Sequence, residues 1–265
     1  MPILETDALT RRFGDHAAVD GVSLSLDAGE VFGLLGPNGA GKTTMIKMLT
    51  TLLPPTAGSA RVAGFDIARS ARAVRRVIGY VPQLVSADGS LSGYENLLIF
   101  AKLYDIPRSE RSLRISEALS FVGLLEAASR LVREYSGGMI RRLEIAQAVL
   151  HRPRVLFLDE PTVGLDPVGR RAVWDHIESL RKDFGTTIFL TTHLMEEAQS
   201  LCTMIAIMHR GRVAAIGRPD ELKASVGENG TTLDDVFVHY AGDRLDSGGG
   251  YRETSRTRRT ARRLG

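Results

Sequence analysis

Residues 36 to 44 of the chain are Gly36-Pro37-Asn38-Gly39-Ala40-Gly41-Lys42-Thr43-Thr44. This run matches a phosphate-binding loop, in which the glycines let backbone N–H groups turn inward around a polyphosphate. Lys42 places a positive charge toward the outer phosphates, and the hydroxyl of Thr43 is suited to Mg²⁺. The apolar run at 31–35 predicts a buried strand before the loop, and 44–49 predicts a helix after it. The sequence therefore predicts a nucleotide-binding protein, with every residue of the loop a candidate ligand.

The composition indicates a globular protein of the cytoplasm. Of its 265 residues, 25% are charged and 43% are hydrophobic, which is ordinary for one large domain or two small ones. No run approaches the roughly 20 apolar residues of a membrane span. The N-terminus has no basic segment followed by an apolar one, so no signal peptide is expected. The single cysteine, Cys202, excludes an internal disulfide and fits a reducing compartment, as a small buried apolar residue.

Positive charge is concentrated at the C-terminus. Residues 251–265 contain six arginines and one glutamate, a net charge of +5. Because the whole chain carries +3, residues 1–250 carry about −2, which does not suit a nucleic-acid-binding surface. A Gly-rich joint at 248–250 precedes the arginines. We expect 241–265 to be a flexible, solvated basic tail; contact with an anionic membrane or a partner is the alternative.

The N-terminal part of the chain has the pattern of strands. Apolar residues alternate over 2–27, as in half-buried antiparallel strands. A further strand is predicted at 59–64, followed by a helix at 67–77. This part therefore predicts an antiparallel β subdomain placed around the phosphate loop.

The rest of the chain predicts helices and then an α/β alternation. Helical periodicity begins near residue 93 and continues to about 150, within a region that we expect to be a helical insertion at about 86–150. Apolar or β-branched runs at 155–158 and 187–190 predict buried strands, separated by an amphipathic helix at 170–182. The predicted fold class is α/β: a phosphate-loop NTPase core with a parallel sheet, an N-terminal antiparallel β subdomain and an inserted helical subdomain.

Two carboxylates follow the strand at 155–158. Asp159 and Glu160 lie at the carboxyl end of that strand, where α/β sheets place their functional sites. A buried acid is costly unless it is paired or bound to a metal, so Asp159 is a candidate ligand of the Mg²⁺ that accompanies a nucleotide. Glu160 is then a candidate base that polarises water for attack on the γ-phosphate.

Four further motifs point to one family. They are Tyr80-Val81-Pro82-Gln83, Tyr135-Ser136-Gly137-Gly138-Met139, Pro161-Thr-Val-Gly-Leu-Asp-Pro167 and Thr191-Thr192-His193. In this order and spacing, the chain from about residue 3 to 240 resembles the ATP-binding subunit of an ABC transporter. The Ser-Gly-Gly signature is specific to ABC ATPases, and it is not a feature of phosphate-loop proteins in general.

The resemblance implies a role for each matching position. Phe13 stacks on adenine, and Gln83 contacts Mg²⁺ and the attacking water. The turn at 136–138 closes over the γ-phosphate held by a second copy of the chain, Asp166 joins the two sites across that dimer, and His193 contacts the γ-phosphate. Without the family, Gln83 would be a surface amide, Asp166 an Asp-Pro turn and His193 a structural side chain at a strand end.

Some positions depart from the commonest family pattern. Tyr135 and Met139 stand where Leu and Gln are usual, so any hydrogen bond made by that glutamine is missing. The Tyr-Ser-Gly-Gly-Met form and the stretch at 232–237 resemble the daunorubicin/doxorubicin-resistance branch of exporter ATPases. Independently of the family, Thr232 with Asp235 is a helix N-cap with an acidic first turn.

These expectations combine into one function. The resemblance implies an ATP- and Mg²⁺-dependent ATPase domain over 1–240, working as a homodimer that sandwiches two ATP molecules. A separate membrane permease, docked near Gln83, would hold it at the cytoplasmic face of the cell membrane and export a drug-like or lipid-like molecule. The alternative is a soluble ABC ATPase acting on nucleic acid or ribosomes. A single ATP-binding domain, the lack of a heptad run and an acidic body argue against that alternative.

Overall fold

Two β-sheets and an inserted group of helices form the part of the chain that the computed structural model describes, residues 2–227 and 230–242. The strands are β1 (Leu4–Phe13), β2 (His16–Leu26), β3 (Val31–Leu35), β4 (Ala57–Val62), β5 (Phe65–Asp66), β6 (Ile78–Val81), β7 (Val155–Asp159), β8 (Thr187–Thr192), β9 (Met204–His209) and β10 (Arg212–Gly217). The helices are α1 (Lys42–Leu49), α2 (Ala71–Val77), α3 (Gly93–Leu103), α4 (Arg108–Phe121), α5 (Gly137–Val149), α6 (Pro167–Phe184), α7 (Met195–Leu201), α8 (Pro219–Val226) and α9 (Leu233–Phe237).

The smaller sheet contains the N-terminal strands. Its order is β2-β1-β4-β5, and each adjacent pair of strands is antiparallel. The antiparallel subdomain expected from residues 2–27 is therefore confirmed. The helix predicted at 67–77 is wrong at its start, because α2 begins only at Ala71. The carboxylate of Asp66 accepts hydrogen bonds from the backbone N–H groups of Ala68 and Arg69, and this local turn competes with the first turn of the helix.

The larger sheet carries the phosphate loop at the end of an inner strand. Its order is β10-β9-β3-β8-β7-β6, parallel except for the edge pair β9–β10. All residues of β3, β7 and β8 are buried, as their continuous apolar or β-branched sequences predict. In the register, Leu35 lies opposite Thr192, and Asp159 lies opposite Thr191. The segments that follow β3, β7 and β8 therefore meet at one edge of the sheet.

The inserted helices have an apolar core of their own. Helices α3, α4 and α5 lie between β6 and β7 in the chain, within the region where helices are predicted. Ser92 caps α3 reciprocally: its hydroxyl accepts from the N–H of Glu95, and the Glu95 carboxylate accepts from the N–H of Ser92. The side chains buried between the helices include Leu97, Ile115, Leu119, Leu143 and Ala146. This packing presents the N-terminus of α5, with the Ser-Gly-Gly turn, at the surface.

His151 lies just after α5 and connects this insertion to the larger sheet. Its ring stacks on Tyr104 with 3.7 Å between the ring centroids. Its Nε2 atom lies 2.9 Å from the carbonyl oxygen of Ile78, the first residue of β6. Burial lowers the pKa of His151 to about 4, although the hydrogen bond to Ile78 opposes the shift. The folded protein therefore keeps this imidazole neutral in mild acid.

Acidification should destabilise the protein through His151. Between about pH 6.5 and pH 4 the unfolded chain binds a proton at this histidine that the folded chain does not. The free energy of unfolding therefore decreases as the pH is lowered, by up to about 3 kcal/mol. His151→Gln has an amide that can donate to the Ile78 carbonyl but cannot titrate. The free energy of unfolding of this variant should therefore decrease less on acidification than that of the wild type. Urea unfolding of both proteins at neutral and acidic pH measures the difference. Equal losses would mean that His151 is not the group responsible.

Candidate functional site

The phosphate loop runs from the end of β3 to the start of α1, and its glycines are required by close backbone contacts. Gly41 has φ of 108°, and a Cβ there would collide with the carbonyl oxygen of Ala18. A Cβ on Gly36 would lie 2.5 Å from the carbonyl oxygen of Met208. The loop is therefore packed against β2 and β9, with its N–H groups at the N-terminus of α1. This arrangement fits a polyphosphate.

Lys42 is folded back over the loop that precedes it. Its ammonium donates to the carbonyl oxygens of Gly36, at 2.8 Å, and Pro37, at 3.3 Å. It also lies 3.1 Å from Oε1 of Glu160, and both side chains are almost completely buried. A phosphate that binds Lys42 must therefore compete with the Glu160 carboxylate for the same three N–H donors.

Asp159 has one satisfied and one unsatisfied carboxylate oxygen. Its Oδ1 accepts hydrogen bonds from the hydroxyls of Thr191, at 2.6 Å, and Thr43, at 3.2 Å. Its Oδ2 is buried and has no hydrogen-bond partner among the described residues. A buried unpaired carboxylate oxygen is costly, and a cation beside the Thr43 hydroxyl would relieve that cost. The donors present therefore fit Mg²⁺, which prefers carboxylate and hydroxyl oxygens.

Burial, and then the Asp159 charge, raise the pKa of Tyr80 to about 12, so Tyr80 stays neutral here.

Glu160 lies between a cation and an imidazole. Its Oε2 is 2.8 Å from Nδ1 of His193, while its Oε1 contacts Lys42. Its backbone N–H donates to both the carbonyl and the hydroxyl oxygen of Thr191. Glu160 has φ of 52°, which is rare for a residue other than glycine and is typical of strained functional positions. The structure thus brings together Lys42, Thr43, Asp159, Glu160 and His193, all of which the sequence singles out.

The other sequence-predicted residues lie in separate groups. Phe13 ends β1 with about half of its surface exposed, and the Arg11 guanidinium lies 4.7 Å from its ring centroid. One face of the ring is thus covered by Arg11, and the ring remains accessible for stacking. Gln83 is exposed just after β6. Within the described part of the chain, its side-chain amide makes no hydrogen bond to Thr43 or Asp159.

The Ser-Gly-Gly turn and Asp166 are neighbours at two helix starts. Ser136 caps α5, with its hydroxyl accepting from the N–H of Met139 at 3.2 Å. Asp166 caps α6 by accepting from the N–H of Gly169 at 2.6 Å, and a Cβ on Gly138 would lie 3.5 Å from the Cα of Gly169. No hydrogen bond or ion pair between described residues joins Ser136 to the phosphate loop. Met139 packs its side chain against the core of the helical insertion.

Sequence reasoning missed the part that two residues play in organising the site. Thr191 belongs to the Thr191-Thr192-His193 motif, but its support of both Asp159 and Glu160 was not predicted; its position on a strand beside β7 was the signal for that role. Glu197 is buried in α7 and accepts hydrogen bonds from the Thr162 hydroxyl, at 2.7 Å, and the indole N–H of Trp174, at 3.0 Å. Glu197 thus joins the segment after Glu160 to the helix after His193. An acid in a position that faces an apolar core was the signal for it.

Thr232 caps α9 as predicted, since its hydroxyl accepts from the N–H of Asp235. Cys202 is buried and reduced, and burial raises the pKa of its thiol. No helix among residues 2–227 and 230–242 is long and apolar enough to cross a membrane. Of the basic tail predicted at 241–265, residues 243–265 lie outside the described residues.

Comparison with known sequences gives consistent matches. The sequence model of the ABC transporter family matches residues 19–163. The daunorubicin resistance ATP-binding protein DrrA3 of Streptomyces coeruleorubidus is 45% identical over 239 residues, which is 90% of this chain and 74% of that protein. The doxorubicin resistance ATP-binding protein DrrA of Mycobacterium tuberculosis is 45% identical over 215 residues, 81% of this chain and 65% of that protein.

Solved structures give the same result for the fold. The ATP-binding subunit of an ABC transporter superposes with a TM-score of 0.80 at 30% identity, covering 90% of this chain and 99% of that one. CbiO1 of Clostridium perfringens, part of the ABC transporter complex CbiONQ, superposes with a TM-score of 0.78 at 30% identity, covering 84% and 91% of the two chains.

Proposed function

This chain belongs to the ABC transporter family of ATP-binding proteins, and on that premise we propose that it is the ATP-hydrolysing subunit of an exporter whose membrane-spanning part is a separate polypeptide. The observation that carries the ATP-hydrolysing role is the position of Glu160, which lies beside Asp159 and contacts both Lys42 and His193. ATP hydrolysis needs a phosphate cradle, a base and a neutralising charge. The loop at 36–44 supplies the cradle, Glu160 the base and Lys42 the charge.

Each residue of this group has a part in the reaction. The N–H groups of the phosphate loop and Lys42 bind the phosphates and stabilise the negative charge that develops on the γ-phosphate. Mg²⁺, held by Asp159 and Thr43 with Gln83 as a further candidate ligand, would supply additional positive charge to the phosphate oxygens. Glu160 accepts a proton from the attacking water, and His193 orients the Glu160 carboxylate through the Nδ1 contact.

The second half of each site would come from another copy of the chain. Ser136–Gly138 and Asp166 lie together at the starts of α5 and α6, and their hydrogen bonds do not reach the loop at 36–44. A helix N-terminus with free N–H groups is suited to a phosphate. In a dimer of this chain, the Ser-Gly-Gly turn of one copy closes over the γ-phosphate held by the other, while Phe13 stacks on the adenine.

We propose that one ATP-binding domain includes nearly all of the described chain. The helical insertion at about 86–150 is part of this domain, because α5 provides the Ser-Gly-Gly turn. The boundary proposed at residue 240 shifts slightly, since Ala241 is buried and the last helical turn ends at Gly242. The basic segment that follows would then be a tail outside the catalytic domain.

The names of the relatives support a proposal for the transported molecule, and an exposed apolar segment supports one for the membrane partner. Because relatives of this chain are named for daunorubicin and doxorubicin resistance, we propose a drug-like or lipid-like amphipathic substrate. Leu84 and Val85, next to Gln83, are 81% and 62% exposed. Two adjacent exposed apolar side chains fit a protein contact, here the permease at the cytoplasmic face of the cell membrane.

Docking through this segment can be tested in cells that express the tagged chain. The wild-type protein should fractionate with membranes and copurify with a polytopic membrane protein. Changing both Leu84 and Val85 to Asp should reduce the copurified partner at least about tenfold, because charges would be placed in an apolar contact, while ATP binding is retained. Leu113→Asp, at an exposed leucine on α4, is the matched control. Wild-type protein found only in the soluble fraction would argue against a transporter subunit.

A further inference from the structure

The loop that contains Gln83 is held at both ends by one buried ion pair on α5. The guanidinium of Arg141 donates to the carbonyl oxygens of Pro82, at 2.7 Å, and Gln83, at 2.9 Å. The Glu144 carboxylate accepts from the backbone N–H of Ser86, at 2.5 Å, and from its hydroxyl, at 2.9 Å. Arg141 and Glu144 are 3.0 Å apart, and they are only 5% and 2% exposed.

Among the described residues, little else keeps this loop in place. The side chains from Gln83 to Ser86 are all exposed, so apolar burial does not stabilise its conformation. The four hydrogen bonds from Arg141 and Glu144 instead act on three backbone groups and one hydroxyl. If stability were the only requirement, a well-packed apolar pair would stabilise the protein at least as much as a buried ion pair does. An ion pair whose other hydrogen bonds all go to one loop is suited to setting the position of that loop.

The same pair connects two parts of the proposed reaction site. Helix α5 begins at Gly137, so Arg141 and Glu144 lie in the turns directly after the Ser-Gly-Gly motif. We propose that Arg141 and Glu144 form a positioning pair that makes the Gln83 loop and the Ser136 turn move as one unit. This inference rests on the proposed role of Gln83 in contacting the attacking water. No hydrogen bond or ion pair between described residues joins Arg141 or Glu144 to the phosphate loop, Asp159 or Glu160, so both act through the Gln83 loop.

The test is a double-mutant cycle between Arg141 and Gln83. Arg141→Lys keeps the charge opposite Glu144, but an ammonium cannot reproduce the planar fork that binds two carbonyls. We expect kcat for ATP hydrolysis to fall about tenfold with KM for ATP within about twofold, because the nucleotide site is unchanged while Gln83 is misplaced. In a Gln83→Ala background, the same change should have no further effect on kcat.

Two further variants complete the design. Arg142→Lys is the matched control, since Arg142 donates to the carbonyl of Val122 and not to the loop; its kcat should match wild type. Ser86→Ala removes only the partly buried hydrogen bond from the Ser86 hydroxyl to Glu144, so it should fold normally even if Arg141→Lys does not. It should lower kcat about threefold, again only when Gln83 is present.

The outcomes separate the pair from the role of Gln83. If Gln83→Ala alone leaves kcat unchanged, the proposed role of Gln83 is wrong. Suppose that Gln83→Ala lowers kcat, and that Arg141→Lys and Ser86→Ala lower kcat by the same factor with or without Gln83. Arg141 and Glu144 then serve stability alone, and the inference is overturned. A rise in KM for ATP with unchanged kcat would also overturn it.

Discussion

Replacing Glu160 with glutamine should leave ATP binding intact and slow ATP hydrolysis by about 10²- to 10⁴-fold, the usual scale for loss of a general base. The amide keeps the size of the carboxylate and can still bond to His193, but it cannot take a proton from water. It also removes the negative charge that lies 3.1 Å from the Lys42 ammonium, so ATP no longer competes with an ion pair. ATP affinity should therefore equal or exceed that of the wild type.

Measured kcat and the Kd for ATP of this variant test the assignment. Glu196→Gln is the matched control, because Glu196 is an exposed acid on α7 whose ion pair is with Arg170. Its kcat should be within about twofold of wild type, since a surface ion pair contributes little. If Glu160→Gln hydrolyses ATP within about threefold of wild type, then Glu160 is not the base.

The mass of the Glu160→Gln protein should double when ATP is added. Without hydrolysis, the γ-phosphate remains available to the Ser136 turn of a second copy, and that additional contact favours the dimer. Light scattering should show a monomer without nucleotide and with ADP, and a dimer with ATP and Mg²⁺. The same mass in all three conditions would contradict the sandwich.

A second change identifies the surface that closes the dimer. Adding Gly138→Asp to Glu160→Gln places a carboxylate at the turn, where it would repel the γ-phosphate. The Cβ at this position meets only ordinary van der Waals contact, so the variant should fold. It should bind ATP as a monomer. A dimer that forms regardless of Gly138→Asp would mean that another surface joins the two copies.

The conformation of the phosphate loop could be predicted because it depends on residues next to one another. Gly36, Gly41, Lys42 and Thr43 lie within one short run, and the backbone contacts of both glycines agree with their predicted use. The strands β3, β7 and β8 could also be predicted, because continuous apolar or β-branched runs are typical of buried parallel strands. The predicted start of α2 was wrong because the turn formed by the Asp66 carboxylate with the next backbone N–H groups outweighed the helical periodicity of the sequence.

Contacts between distant residues could not be predicted in the same way. The Thr191 hydroxyl supports Asp159 only because β8 pairs with β7 in one register. A register shift of one residue would turn the Thr191 side chain to the opposite face of the sheet. Arg141 and Glu144 have the sequence pattern of an ordinary helical ion pair, three residues apart. Their bonds to residues 82–86 depend on how α5 packs against the end of β6.

The sequence by itself determined which chemical groups this protein carries: a phosphate loop, two carboxylates after a buried strand and a Ser-Gly-Gly turn, each encoded by neighbouring residues. Only the tertiary structure decided which of these groups meet. It placed Glu160 between Lys42 and His193, and among the described residues it left Oδ2 of Asp159 without a hydrogen-bond partner. The physical reason is that conformation within a short run follows local sterics, whereas distances of about 3 Å between remote side chains depend on strand register and helix packing.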